Sequence, residues 1–455
     1  MRLIARFARE NTEKFEIIDI FEGEIKKTQI DKKNPSIKTI TDIYPAAIWM
    51  ERKIRDEFGI NFEDSFDERY LVKHERFPKN IYPMRKDFTQ KNIEFSEFKP
   101  YQYEEVKGEG VFYVPVGPIH AGIIEPGHFQ FSQAGEDMLH IEVRHFYKYR
   151  AIEKMCENKT PLEIKKIVER ISGNESIAYQ ICFFDILHQA SEIEQSEIYK
   201  RKTAILLEME RIINHLNDLG FIPNDAGFSP ALAFMSQLTE DARRVLAKVT
   251  NHRFGFGAIN EEMDYDFKPV FEFLDYLEEK MNFFENWIID IPSLWDRFDT
   301  TGTLTKEKAV KYDVVGVGAR SSGIKLDRRD NEWYKTHGFE IQLGKKGEVS
   351  DRFLLRIKEI KNSIEIIRNC KINNENKKIE FKSFKDGEYY SFTESSIGEL
   401  FMYMYIKDGL IDRFYVRDPS HINWQAFHTC IYKDIIADFP LINKSFDLSY
   451  AGNDL

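Results

Sequence analysis

The chain has 455 residues, 42% of them hydrophobic and 31% charged, with a net charge of −11. A length of this order accommodates a large core and two or three domains, and the composition is that of a globular chain. The acidic balance argues against nucleic-acid binding, which needs a basic face, and no run of about 18 apolar residues occurs that would predict a membrane-spanning helix.

The N-terminal stretch Met1–Arg9 lacks the apolar region and small-residue cleavage site of a secretory signal. Tyr44–Gly59 predicts an amphipathic helix, because Ile48, Met50, Ile54 and Phe58 recur near helical spacing and Gly59 suits its C-terminal cap. Residues 61–87 are polar and punctuated by Pro78 and Pro83, the pattern of a loop with short extended pieces. Phe98-Lys99-Pro100 and Gly108-Glu109-Gly110 mark a boundary, so we expect a small domain over residues 1–100 and a large one over 105–455.

Val111–Gly117 reads as a strand running into a turn, and Glu136–Arg150 mixes strand-like alternation with charge. Helices then dominate. Glu192–Leu219 carries Ile193, Ile198, Ile205, Leu206, Met209, Ile212, Ile213 and Leu216 at helical spacing, and Ala231–Asn251, Lys268–Glu285 and Asp351–Asn369 behave alike. Such wide apolar stripes imply a buried bundle. Asp386–Val416 reads as strands with a hairpin turning at Lys407-Asp408-Gly409. The expected fold class is α+β: a small α/β N-terminal domain followed by a large, mainly helical bundle with peripheral β-strands.

Four cysteines, Cys156, Cys182, Cys370 and Cys430, stand far apart and form no C-x-x-C. This is a reduced, cytoplasmic pattern, with each thiol a small core residue. Gly255-Phe256-Gly257 and Gly316-Val317-Gly318 do not complete a dinucleotide fingerprint, and no phosphate-binding loop, H-E-x-x-H or G-x-S-x-G is present. Gly117–Phe129 is a dense run of Gly, Pro, His and Glu. His120 and Glu125 on so rigid a loop suit proton transfer, and the same loop suits a structural role in capping its neighbours. On chemistry alone the two readings stand level.

The run Gly117-Pro118-Ile119-His120-Ala121-Gly122-Ile123-Ile124-Glu125-Pro126-Gly127-His128-Phe129 resembles a motif of the large subunits of complex-I-like, membrane-bound NiFe-hydrogenases of the formate hydrogenlyase type. It is similar also to the D-type subunit of NADH:quinone oxidoreductase (complex I). The resemblance continues through Glu208-Met209-Glu210-Arg211-Ile212-Ile213-Asn214-His215, Asn224–Phe228, Asn251–Phe254, Thr301–Leu304, Gly316–Ile324 and Asp438–Phe446. Ahead of it, Trp49–Gly59 and Pro83–Asp87 resemble the C-type subunit of complex I. The resemblance thus implies a fused C–D chain, in which a C-type domain precedes a domain shared by NiFe-hydrogenase large subunits and D-type subunits.

The departures fall on the metal motifs. The family's R-x-C-G-x-C-x-x-x-H corresponds here to Arg170–Tyr179, with Ser172 and Glu175 at the cysteine positions and Tyr179 at the histidine. The family's D-P-C-x-x-C is Asp418–Asn423, with Ser420 and Asn423 in place of both cysteines, and its P-R-G is Ser396-Ile397-Gly398. A nickel–iron centre needs four soft thiolates. Ser and Asn offer neutral hard oxygens and Glu a hard carboxylate, so we expect no metal and no cofactor bound by this chain. Ser172, Glu175, Tyr179, Ile397, Ser420 and Asn423 then become the lining of a degenerate NiFe pocket.

The resemblance implies an iron–sulfur small subunit, of the B type in complex I, holding a 4Fe–4S cluster. It implies membrane subunits of the H and antiporter types, and a peripheral place on the inner, cytoplasmic face of the cell membrane. It implies electron transfer to a quinone or another small acceptor coupled to ion translocation, with His120 and Glu125 as proton-transfer candidates. The D-type quinone-ligand pair is not carried over: Gly173 stands at the position of its Tyr and Ile124 at the position of its second His. Two alternatives are a non-catalytic coupling scaffold and a hydrogen-evolving hydrogenase, the latter disfavoured by the missing cysteines.

Overall fold

The structure is a computed structural model, and it describes residues 1–89, 93–120, 124–372, 378–432 and 434–455. The N-terminal unit is built from β1 (Leu3–Glu10), β2 (Lys14–Phe21) and β3 (Glu24–Asp31), a consecutive antiparallel sheet. A short parallel pair, β4 (Ser36–Lys38) and β5 (Asn61–Glu63), flanks α1 (Ala47–Phe58). The predicted helix starts three residues late and ends where Gly59 takes a left-handed cap, φ 72°. Ala8, Phe15, Ile17, Ile54, Phe58 and Phe62 form this unit's own core.

The sheet itself was not legible from the sequence, for a physical reason. β1 is buried on both faces, so it lacks the apolar–polar alternation of a half-exposed strand. Its second face, with Phe7, Ile18 and Ile20, packs on Phe401, Tyr403 and Tyr415 of the C-terminal sheet. Of the charged residues interrupting β1, Arg9 pairs inside with Glu16 and with Glu388 at 2.9 Å.

The large unit opens with the antiparallel sheet β6 (Val111–Val116), β7 (His128–Ala134) and β8 (Asp137–Arg144). Short helices α2 (Ile152–Cys156) and α3 (Lys165–Val168) lead to the long ones: α4 (Ser176–Ala190), α5 (Glu197–Asp225), α6 (Ser229–Thr250) and α7 (Lys268–Ile289). Four short helices follow, α8 (Pro292–Phe298), α9 (Lys306–Lys311), α10 (Gly316–Ser321) and α11 (Glu332–Thr336), before the long α12 (Val349–Asn369). The chain then forms β9 (Gly387–Glu394), β10 (Glu399–Lys407) and β11 (Leu410–Arg417), and ends in α13 (Pro419–Phe427), α14 (Phe439–Phe446) and α15 (Tyr450–Asp454). The architecture is α+β, as expected.

Two details correct the sequence reading. α5 starts at Glu197, not Glu192, because the Ser196 hydroxyl caps the helix by accepting from the Tyr199 amide, and it runs on through buried Ile222 and Pro223. α4 carried no amphipathic signal because it is buried on nearly every face. The β10–β11 hairpin turns at Asp408-Gly409, φ 54° and 74°, the backbone such a two-residue turn requires. No helix among the described residues is long and apolar enough to cross a membrane.

Candidate functional site

Five chain segments converge around Ser172, Glu175, Ser420 and Asn423: the turn before α4, the end of β11 with the start of α13, the β9–β10 turn, the start of α10, and the C-terminal segment with α15. Asp418 ends β11 and caps α13, its Oδ1 accepting from the Ser420 amide at 2.7 Å, as an Asp before a helix-opening Pro does. Glu175 holds the N-cap position of α4 without capping it. Glu210 of α5 takes that role, accepting from the Ile177 and Ala178 amides at 2.6 and 3.0 Å. This leaves the Glu175 side chain free to turn inward, where its Oε1 accepts from the Ser395 hydroxyl at 2.5 Å.

The structure brings all six predicted lining residues into the interior, none more than 3% exposed. Ser172 shares a hydrogen bond with the Ser449 hydroxyl at 3.1 Å. Ser420 Oγ accepts from the Ser449 amide at 2.8 Å, so one serine of the C-terminal segment bridges the Arg170–Tyr179 and Asp418–Asn423 stretches. The Tyr179 hydroxyl donates to Asp418 Oδ2 at 2.6 Å. Asn423 brackets Val315, accepting from its amide at 3.0 Å and donating to its carbonyl at 3.2 Å. The Ile397 carbonyl accepts from the Val317 amide. Gly316 sits against it with φ 66°, and a Cβ there would lie 1.8 Å from that oxygen.

The C-terminal helix closes the pocket. Gly452 lies so near Asp418 that a Cβ would meet its Oδ2 at 2.1 Å. Arg150 ties the segment down by donating to the Ile171 and Ala451 carbonyls, both at 2.8 Å.

The enclosed space is rich in acid. Burial, and then the neighbouring Asp418 carboxylate, push the Glu175 carboxyl well above the usual carboxylate range. Its Oε2 is buried and has no hydrogen-bond partner. Burial also lifts Glu210 to about 8, and burial with Asp418 lifts the Tyr179 phenol well above its ordinary value. Burial therefore disfavours the ionised form of Glu175, Glu210 and Tyr179 alike.

The two proton-transfer candidates lie outside this core. His120 donates to the Gly127 carbonyl at 2.7 Å within its own loop. Glu125 pairs with Lys148 and accepts from the Ala451 amide at 2.8 Å, reaching the pocket only through α15. Residues 121–123 of this loop lie outside the described residues. The sequence reading does not single out Asp418, although an Asp–Pro before a helix signals an N-cap. Ser395, Ser449 and Gly452 carried no signal, since only the fold brings them to the pocket.

The donor set does not suit a nickel–iron centre. Ser172, Glu175, Ser420 and Asn423 present hydroxyl, carboxyl and amide groups, each already in a hydrogen bond within the protein. The four cysteines are buried elsewhere, and burial raises every one of their thiols, those of Cys370 and Cys430 to about 12.

Comparison with known proteins agrees with this layout. Residues 6–94 match the family model of the respiratory-chain NADH dehydrogenase 30 kDa subunit, and residues 242–385 that of the 49 kDa subunit. The chain is 25% identical over 446 residues to formate hydrogenlyase subunit 5 of Escherichia coli (strain K12), covering 94% of this chain and 78% of that protein. It is 26% identical over 483 residues to the C/D subunit of NADH-quinone oxidoreductase from Sulfurihydrogenibium sp. (strain YO3AOP1), covering 91% and 83%. It is 27% identical over 369 residues to the D subunit of F(420)H(2) dehydrogenase from Methanosarcina mazei, covering 76% and 98%. With a 30 kDa-type and a 49 kDa-type domain joined in one polypeptide, the chain belongs to the complex-I-like family of NADH-quinone oxidoreductase C/D and formate hydrogenlyase-type subunits.

Proposed function

We propose that this chain is the large subunit of a membrane-associated, complex-I-like oxidoreductase complex that takes part in electron transfer to a quinone or another small acceptor, coupled to ion translocation, without a nickel–iron centre. The observation that carries the reading is the donor set: Ser172, Glu175, Ser420 and Asn423 stand at the thiolate positions and hydrogen-bond within the protein. Electrons reach the pocket from a 4Fe–4S cluster held by an iron–sulfur small subunit. Membrane subunits of the H and antiporter types anchor the assembly on the inner face of the cell membrane. Exposed Phe112, Tyr113, Ile119 and Ile124, on β6 and the loop after it, support a covering partner on that side. His120 and Glu125 are the proton-transfer groups in this reading, with Glu125 joined to the pocket through Ala451.

A second reading, a coupling scaffold that reduces no acceptor, is favoured by the closure of the pocket, whose six lining residues are all buried. Two measurements on the purified complex decide. Stoichiometric nickel in elemental analysis overturns the metal-free reading and revives the hydrogenase. With nickel absent, acceptor reduction that falls in Glu125→Gln or Glu175→Gln supports the first reading. Unchanged turnover in both supports the scaffold.

A further inference from the structure

Behind the pocket wall lies a second buried polar cluster, between α5, α10, α12 and β9. Its centre is Arg320, which pairs with Glu359 at 2.8 Å, Glu394 at 2.6 Å and Asp327 at 3.1 Å. Arg329 pairs with Asp327 at 2.8 Å and Glu208 at 3.0 Å. Arg211 pairs with Glu208 at 3.2 Å and approaches Glu359 at 3.7 Å. Every one of these side chains is at most 4% exposed.

The charges do not balance. Three guanidiniums, Arg211, Arg320 and Arg329, face four carboxyls, Glu208, Asp327, Glu359 and Glu394. Of the cations around it, Arg356 is engaged with Asp218 at 2.8 Å, and Asp218 in turn with Lys444, while Arg328, whose amide donates to Glu394 Oε2 at 3.2 Å, turns its guanidinium to Glu22 and Glu399. Tyr334 borders the cluster as a neutral phenol, raised well above its ordinary value by burial and by Glu208. His215 donates from Nε2 to Glu359 at 2.8 Å and has no partner at Nδ1. With His215 neutral, the cluster is one proton short of electroneutrality, and a net charge sealed in a low-dielectric interior is costly.

We propose that this cluster is a proton-binding site: it holds one exchangeable proton, carried by Glu394, and links that proton's charge to the wall of the Glu175–Asp418 pocket through Ser395 and Arg211. The link is direct. Arg211 donates to the Glu394 and Ser395 carbonyls at 2.6 and 2.9 Å, and the Ser395 hydroxyl donates to Glu175 at 2.5 Å. The choice of Glu394 among the four acids follows from its surroundings. Burial, and then the Asp327 carboxylate, lift it to about 7, against the opposing Arg320. For Glu359 and Asp327 burial is outweighed by the guanidiniums, which hold both below the usual carboxylate range. His215 is no competitor, since burial lowers it to about 4. The proton comes from solvent and returns there, so no co-reactant is needed. Because Glu175 and Glu394 flank the same serine, a change of charge in the pocket shifts the affinity of the cluster for its proton.

The test is infrared difference spectroscopy of the full chain, following the carbonyl band of buried carboxylic acids between about pH 6 and pH 8. Glu57 and Glu210, lifted by burial to about 7 and about 8, titrate in the same interval and are common to every variant, so Glu394 is read in the difference between wild type and variant. In Glu394→Gln the band should lose one carboxyl's amplitude while the Glu57 and Glu210 contributions stay. In Glu394→Asp the amplitude should be kept and the midpoint displaced. Full wild-type amplitude in Glu394→Gln, an undisplaced midpoint in Glu394→Asp, or no carboxyl titrating in that interval in the wild type overturns the proposal. Should the Gln variant fail to fold, the Asp variant and the wild-type titration decide alone.

Discussion

The Tyr179 hydroxyl donates to Asp418 Oδ2 at 2.6 Å, joining chain segments 239 residues apart. In the family's metal-binding pattern these two stretches are held together by shared metal ligands. Here a phenol and a carboxylate hold them, with the Ser172–Ser449–Ser420 chain of hydrogen bonds beside them.

Removing that phenol should cost stability. Tyr179→Phe leaves a fully buried carboxylate oxygen without its hydroxyl donor, a loss of about 2 kcal/mol. Urea unfolding of the wild type and the variant measures it, and an unchanged midpoint would mean the bond contributes nothing.

Glu175 should make the protein less stable as pH rises. Its folded value is raised above the ordinary 4.5, so the native state binds a proton that the unfolded state releases. The associated stability is fully present below about pH 4.5 and declines as pH climbs through the folded value. Glu175→Gln carries a permanently uncharged amide and should flatten that decline. Thermal unfolding from about pH 4.5 upward checks this, and parallel curves for the two proteins would contradict it.

The two domains should separate when a buried ion triad is broken. Glu153 of the large unit lies 2.6 Å from Lys53 of α1 and 2.7 Å from Arg413 of β11. Burial raises Glu153, but Lys53 and Arg413 more than offset it, and its folded value lies below 4.5. Its contribution is therefore present above about pH 4.5 and lost as pH falls through the folded value. Glu153→Gln strands two buried cations and should cost about 3–5 kcal/mol. Limited proteolysis of the 95–110 connection should accelerate in the variant.

Gly316 tolerates no side chain. Its left-handed φ of 66° and the Ile397 carbonyl 1.8 Å from a would-be Cβ make Gly316→Ala destabilising by about 3 kcal/mol. Equilibrium denaturation measures the loss. A silent substitution would show that the α10 start and the β9–β10 turn are not in contact.

The sequence by itself determined the long elements and the side-chain types that stand where the metal motifs match. α6, α7 and α12 were legible because each buries one face of an amphipathic stripe, and the β10–β11 hairpin because Asp-Gly suits its turn. Ser172, Glu175, Tyr179, Ser420 and Asn423 were legible because they interrupt otherwise matched motifs, and side-chain chemistry alone disqualifies them as thiolates. Elements buried on all sides were not legible: β1 and α4 have no exposed face, and without one there is no periodicity to read. Only the tertiary structure decided what fills the pocket. Ser449, Ser395 and Gly452 come from distant segments, and their contacts with Ser172, Glu175 and Asp418 exist only once five segments converge. The protonation of the site was decided there too. A carboxyl's charge depends on the water and counter-charges around it, and both are set by packing rather than by the residue's own place in the chain.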